Sequence, residues 1–427
     1  MGFVSRCNFP QNIGTDGFIW VGHGLLQLPP IIFFYAIERD SVKSLFFHSK
    51  KVGGLLRFLR NFALSKTNIK DMKKVILSAM LLLSTFIGVD AQNTSNDNYM
   101  YQELNLTEEW DKTFPLSDKV DHKKVTFHNH FGFTLAADMY TPKDAKGKLA
   151  AIAVCGPFGA VKEQASGLYA QTMAERGFLT IAFDPSFTGE SSGEPRDVYS
   201  LDINTEDFQA AVDFLSSLDN VNPDRIGIIG ICGWGGIALN AAANDPRIKA
   251  TVASTMYDMP RVGAWGYFDK GTAVDRYKMK EELTALRTKE YKTGLKTRAG
   301  GCLTVEEAKV QNAPDFVQQY SAYYKTKRGY AKRSVNSNGG WMLQAQEGWA
   351  NNNILAHPED LRNAVMIVHG DKAHSYYMGK DTFAKLKGDN KFFVSVPGAT
   401  HTDLYDGGGK NFIPFDKIEN FFRKFLK

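Results

Sequence analysis

The sequence predicts an α/β fold in which a mostly parallel sheet is covered by helices. Three observations lead to it: apolar runs of strand length alternate with helical patterns, a glycine-flanked turn joins one such run to a helix, and two late apolar runs each end in a polar loop. In order along the chain, residues 123–130 and 133–140 read as a first hairpin. Buried strands follow at 150–155, 179–184, 225–229 and 250–254, with helices between them at 167–176, 206–218 and 236–244. The alternation lapses over 260–361, where 275–292 and 305–325 read as charged helices in an aromatic-rich interval. That interval predicts a helical lid inserted between a first core segment, 121–259, and a second, 362–427, the latter holding strands at 364–368 and 391–396. Most of the lid's aromatics are expected to pack its own small core.

Chemistry concentrates where strands end. The run Gly230-Ile231-Cys232-Gly233-Trp234-Gly235-Gly236 places a thiol at the apex of a strand–turn–helix, with glycines that keep strand and helix from colliding. Taken alone, Cys232 reads equally as a buried small apolar residue. Further on, 364–368 leads into His369-Gly370-Asp371-Lys372-Ala373-His374-Ser375, and 391–396 leads into Pro397-Gly398-Ala399-Thr400-His401. Nucleophile, acid and histidine, each just past a strand's carboxyl end, is the chain order of α/β-hydrolases. A thiol needs a base to give thiolate, and the base needs an acceptor to fix its tautomer. Cys232 and His401 are the candidate nucleophile and base. Asp371 is the candidate acid by proximity, with Asp258, at the end of the preceding strand, as its substitute.

On these residues, about 120 to 427 resemble α/β-hydrolases of the dienelactone-hydrolase-related kind, most closely the bacterial YcjY type. The elbow, the Ser-Thr-Met-Tyr-Asp-Met stretch at 254–259 and the 369–375 loop carry the likeness. The resemblance implies an α/β-hydrolase fold and backbone oxyanion donors from Phe158, in the loop 156–164, and from Gly233. Substrate is not specified by it. A Cys-His-Asp triad acting through an acyl-thioester on a small ester, lactone or thioester is expected, with no metal or organic cofactor. A peptidase of related fold and a non-catalytic ligand-binding protein are the alternatives. Trp234, standing where the superfamily usually has a small residue, is expected at the substrate pocket. Lys162 and Glu163 read as a solvated helix start.

The ends read differently. Met72-Lys73-Lys74, an apolar run to Val89 and Asp90-Ala91-Gln92 have the pattern of a signal peptide at 72–91, cleaved after Ala91. Residues 1–71 before it are read as an upstream extension foreign to the mature protein, and 92–120 as a flexible lead. Segment 1–91 holds eleven Lys and Arg against five acids, which leaves 40 against 41 of the chain's 51 and 46. A near-neutral mature chain gives no argument for nucleic acid. An exported, periplasmic or secreted enzyme without stable membrane association is expected, or an anchored one if the signal is retained. With Cys7 removed along with the leader, Cys155, Cys232 and Cys302 remain, too few and odd in number for a disulfide framework.

Overall fold

The computed structural model describes residues 101–427, together with a two-residue antiparallel pair, Ile37–Glu38 with Ser41–Val42. The rest of 1–100 lies outside the described residues, and with it the upstream extension, the signal segment and the start of the lead. The chain divides into two compact units, Met1–Asn98 and Tyr99–Lys427. Among the described residues no helix is long and apolar enough to cross a membrane.

The second unit is built on one eight-stranded sheet. Its strands are β1 (Val120–His128), β2 (Thr134–Pro142), β3 (Leu149–Cys155), β4 (Leu179–Phe183), β5 (Val221–Ile231), β6 (Ile248–Ser254), β7 (Ala364–Gly370) and β8 (Lys391–Val396), in the order 1-2-4-3-5-6-7-8. β1 and β2 form the expected antiparallel hairpin and β2 pairs antiparallel with β4; every other pairing is parallel. Strands β3, β4 and β7 are apolar and buried along nearly their whole length because helices cover both faces of a parallel sheet. Those helices are α1 (Ala165–Glu175), α2 (Leu201–Ser217) and α3 (Gly233–Asn244).

Between β6 and β7 the chain is helical, with α4 (Met259–Trp265), α5 (Ala273–Thr293), α6 (Val305–Val310), α7 (Asp315–Tyr324), α8 (Val335–Asn338) and α9 (Ala345–Trp349). Thr272 and Asp275 form a capping box at the start of α5, and Thr304 and Glu307 do so at α6, which explains why these exposed, charged segments hold helical ends. α10 (Tyr376–Lys385) and the short α11 (Asp403–Asp406) follow β7 and β8. The last helix, α12 (Phe415–Phe425), buries Ile418, Phe421 and Phe422 at helical spacing. The described part of the lead has no regular element, yet it packs down: Phe114 is buried, and the Thr113 amide donates to the Glu163 carbonyl.

Candidate active site

The turn after β5 holds Cys232 at φ 58°, ψ −123°, a backbone conformation that non-glycine residues rarely adopt. Glycines make room for it. A Cβ on Gly230 would meet the Trp234 carbonyl oxygen at 2.0 Å, and one on Gly235 would meet Met256 Cβ at 2.9 Å. The close crossing of helix and strand is therefore made at Gly235, one residue later than usual, which frees position 234 for an indole. Trp234 is buried and packs between Phe158 and Tyr199, with ring centroids at 6.2 and 5.2 Å.

Around the thiol, the Tyr405 hydroxyl, the amides of Gly233 and Phe158 and the Tyr320 hydroxyl all approach the sulfur. Burial is the larger influence and raises the Cys232 pKa, while these four donors oppose it by favouring thiolate. His401 is buried, and Nε2 lies 3.1 Å from the Tyr405 hydroxyl. Tyr405 thus contacts His401 and neighbours Cys232. Desolvation, aided by the neighbouring His374 and His369, holds the His401 imidazole well below its ordinary pKa.

Neither aspartate named from the sequence is a partner of His401. Its Nδ1 faces Ser375 Oγ at 2.6 Å and Thr255 Oγ1 at 3.1 Å. Asp371 is exposed and accepts from the Gly398 amide at 2.8 Å, closing the loop beside it. Asp258 caps α4 by accepting from the Arg261 amide at 2.9 Å. Thr255 is β-branched and sits at φ 41°, a strained conformation costing about 1–3 kcal/mol that aims its hydroxyl at the imidazole. Both hydroxyls lie in stretches that carried the family resemblance, 254–259 and 369–375, where their chemistry passed unnoticed. Tyr405 had a signal too, because it stands four residues after His401, the spacing that puts two side chains on one face of a helical turn.

Lys162 and Glu163 are not solvated; both are buried. The Lys162 ammonium lies 2.7 Å from Asp184, 2.6 Å from Glu190 and 2.7 Å from Glu163. The Lys162 amide donates to Asp184 Oδ1 at 2.8 Å, and Arg333, from the segment before α8, reaches Glu163 at 2.8 Å. With Glu163, Asp184 at the end of β4 and Glu190 in the loop after it compensate the buried charge and draw the Phe158 loop onto the sheet. They are close enough together to hold a metal ion, but Lys162 already supplies a cation there.

Aromatics of the helical segment between β6 and β7 also reach the site. Trp341 and Trp349 meet Phe158 edge-on at 5.1 and 5.5 Å, and the Asn336 side-chain amide donates to the Phe158 carbonyl at 2.7 Å. Cys155 is a free thiol whose hydrogen points at the Phe183 carbonyl, 3.3 Å away.

With this geometry in place, residues 132–401 match the model of the X-Pro dipeptidyl-peptidase (S15) family. The chain is 50% identical over 349 residues to the uncharacterized protein PA2218 of Pseudomonas aeruginosa, spanning 81% of this chain and 92% of that one. The crystal structure of PA2218 superposes with a TM-score of 0.73, covering 76% of this chain and 99% of its own. Uncharacterized protein YcjY of Escherichia coli is 33% identical over 67% of this chain and 93% of its length. The structure of DcsB in complex with its substrate analogue shares the fold at 21% identity, with a TM-score of 0.59 over 72% of this chain and 99% of that one.

Proposed function

Since the chain belongs to the X-Pro dipeptidyl-peptidase (S15) family and has the α/β-hydrolase fold, we propose that it is a thiol hydrolase of small esters, lactones or thioesters with Cys232 as nucleophile. The observation that carries this reading is the convergence on one thiol, at a strained turn, of two backbone N–H groups and, through Tyr405, a buried imidazole. In this mechanism His401 takes the tautomer that donates its Nδ1 hydrogen to Ser375, 2.6 Å away, and leaves the Nε2 lone pair to accept from Tyr405 at 3.1 Å. Burial raises the thiol and lowers the imidazole, so the resting pair is neutral and the proton moves during attack.

As sulfur bonds to the carbonyl carbon, the thiol proton passes to the phenol oxygen of Tyr405 while the phenol's own proton passes to Nε2. The carbonyl π pair moves onto oxygen, which the amides of Phe158 and Gly233 receive. Collapse expels the alkoxide or thiolate, which takes a proton back along the same path. Water then attacks the acyl-thioester while its proton passes through Tyr405 to Nε2; the C–S bond breaks, the carboxylic acid leaves, and that proton returns through Tyr405 to the sulfur of Cys232.

The family description favours a second reading, cleavage of X-Pro peptides. A dipeptidyl-peptidase must hold a free α-ammonium, whereas Tyr257, Tyr267, Tyr320 and Tyr405 surround Cys232 with neutral phenols. That supports acyl chemistry over peptide ends. Kept reduced and mixed with p-nitrophenyl acetate, the protein should show an acyl adduct by intact mass and release nitrophenol, and Cys232→Ala should do neither. Equal turnover by both proteins would remove Cys232 from the mechanism, and turnover of a Gly-Pro anilide with inert esters would favour the peptidase. Export is proposed on the 72–91 pattern, and a mature protein beginning at Gln92 is the expected result of amino-terminal sequencing.

A further inference from the structure

Beside His401 stands a second imidazole that the mechanism does not use. His374 stacks on Phe316 of α7 at 4.5 Å and 22°, and meets Tyr320 and Tyr267 at 5.6 Å each. Its ring centroid is 4.9 Å from that of His401. Both of its nitrogens are buried and have no hydrogen-bond partner. Burial lowers its pKa to about 3, so it is neutral, with one N–H to give and one lone pair to receive. An unpaired polar group in such a box costs about 1–3 kcal/mol, whereas an apolar side chain would fill the same space without that cost. What the ring is suited to is a group that both accepts and donates. Its distance from His401 puts that group a few bonds from the carbonyl under attack.

We infer that His374 is a substrate-binding residue that recognises a hydroxyl or carbonyl oxygen on an uncharged acyl chain, close to the reacting carbonyl. The box selects against a charged acyl chain, because aromatic rings and a neutral imidazole offer a carboxylate no counter-ion and strip its water. Flat rings on both sides favour a short, slender chain threaded between α7 and the 369–375 loop. The inference rests on the acyl-hydrolase reading above, and its test includes an arm that needs no turnover.

The probes are N-acetylcysteamine thioesters of 3-hydroxybutyrate, butyrate and succinate. The expected result is a preference of about tenfold or more in kcat/KM for hydroxybutyryl over butyryl, the worth of one hydrogen bond, with succinyl poorest. His374→Phe, which keeps the stacking on Phe316, should bring the hydroxybutyryl-to-butyryl ratio close to one, and His374→Asn, which keeps a donor and an acceptor, should restore part of it. The same ratio should appear in dissociation constants measured calorimetrically on Cys232→Ala. A wild-type ratio near one, or a ratio that His374→Phe leaves unchanged while both substrates decline together, overturns the inference. Binding preference without turnover in the wild type would instead overturn the hydrolase reading and leave the role of His374 standing.

Discussion

Ser375 Oγ lies 2.6 Å from Nδ1 of His401, the place where a triad carboxylate would stand. A hydroxyl can accept the Nδ1 hydrogen and fix the tautomer, but it brings no charge to stabilise an imidazolium. Ser375→Ala should lower kcat by about tenfold, with Thr255 still in reach of Nδ1, and adding Thr255→Val should deepen the loss toward the hundredfold worth of a positioned base. Asp371→Asn, on the surface turn at Gly398, should stay within about twofold of wild type. A collapse of activity in Asp371→Asn alone would return the acid role to that carboxylate.

The Tyr405 hydroxyl lies 3.1 Å from His401 Nε2 and close to Cys232, where the proposed mechanism passes the proton. Tyr405→Phe keeps the ring in its buried place and removes the oxygen that passes the proton, so kcat should fall by roughly a hundredfold with melting temperature little changed. Activity within a few-fold of wild type would mean that His401 reaches the thiol directly.

The resting thiol should be slow to alkylate. Burial disfavours thiolate, so the iodoacetamide rate at Cys232, read by mass against Cys232→Ala, should climb with pH and show its inflection above the ordinary thiol value of about 8.5. An inflection near pH 6 would reveal a thiolate–imidazolium pair at rest and contradict the neutral mechanism.

Removing the ammonium beneath the Phe158 loop should be costly. Lys162→Met leaves Asp184 buried without a cation and takes one from Glu163 and Glu190, which keep Arg333 and Lys124, and such a loss is worth about 3–5 kcal/mol. The sign with pH follows from Glu190. Although burial opposes it, the pull of Lys162 and Lys124 holds its pKa down to about 2, so its stabilising contribution is present above the ordinary carboxylate range and lost as pH falls toward 2. In the variant, burial without that ammonium raises Glu163 and Glu190, and protonation relieves them. The stability gap measured by urea unfolding should therefore be wider at pH 8 than at pH 5.

Parts of the site were legible because their signals are local. The glycines around Cys232 announce a turn wherever it is placed, and His401 follows its strand in the order that the fold requires. The hydroxyls of Thr255 and Ser375 carry no such mark, since serine and threonine in loops most often serve the backbone. Lys162 misled for a related reason. A lysine and a glutamate opening a helix look solvated until Asp184 and Glu190 arrive from elsewhere in the chain.

The sequence by itself determined the alternating strands and helices, the turn that holds Cys232, the helical insertion and the order of Cys232 and His401 along the chain. These follow from periodicity, from glycine's freedom at a strained turn and from short-range spacing, all properties of contiguous residues. The tertiary structure decided which groups face each nitrogen of His401, that Tyr405 lies against its imidazole, that Lys162 is buried, and that Trp341 and Trp349 of the helical insertion pack on Phe158. Each of those depends on which distant side chains desolvate a group and which then compensate it, and that balance is set where separate loops meet at the carboxyl edge of the sheet.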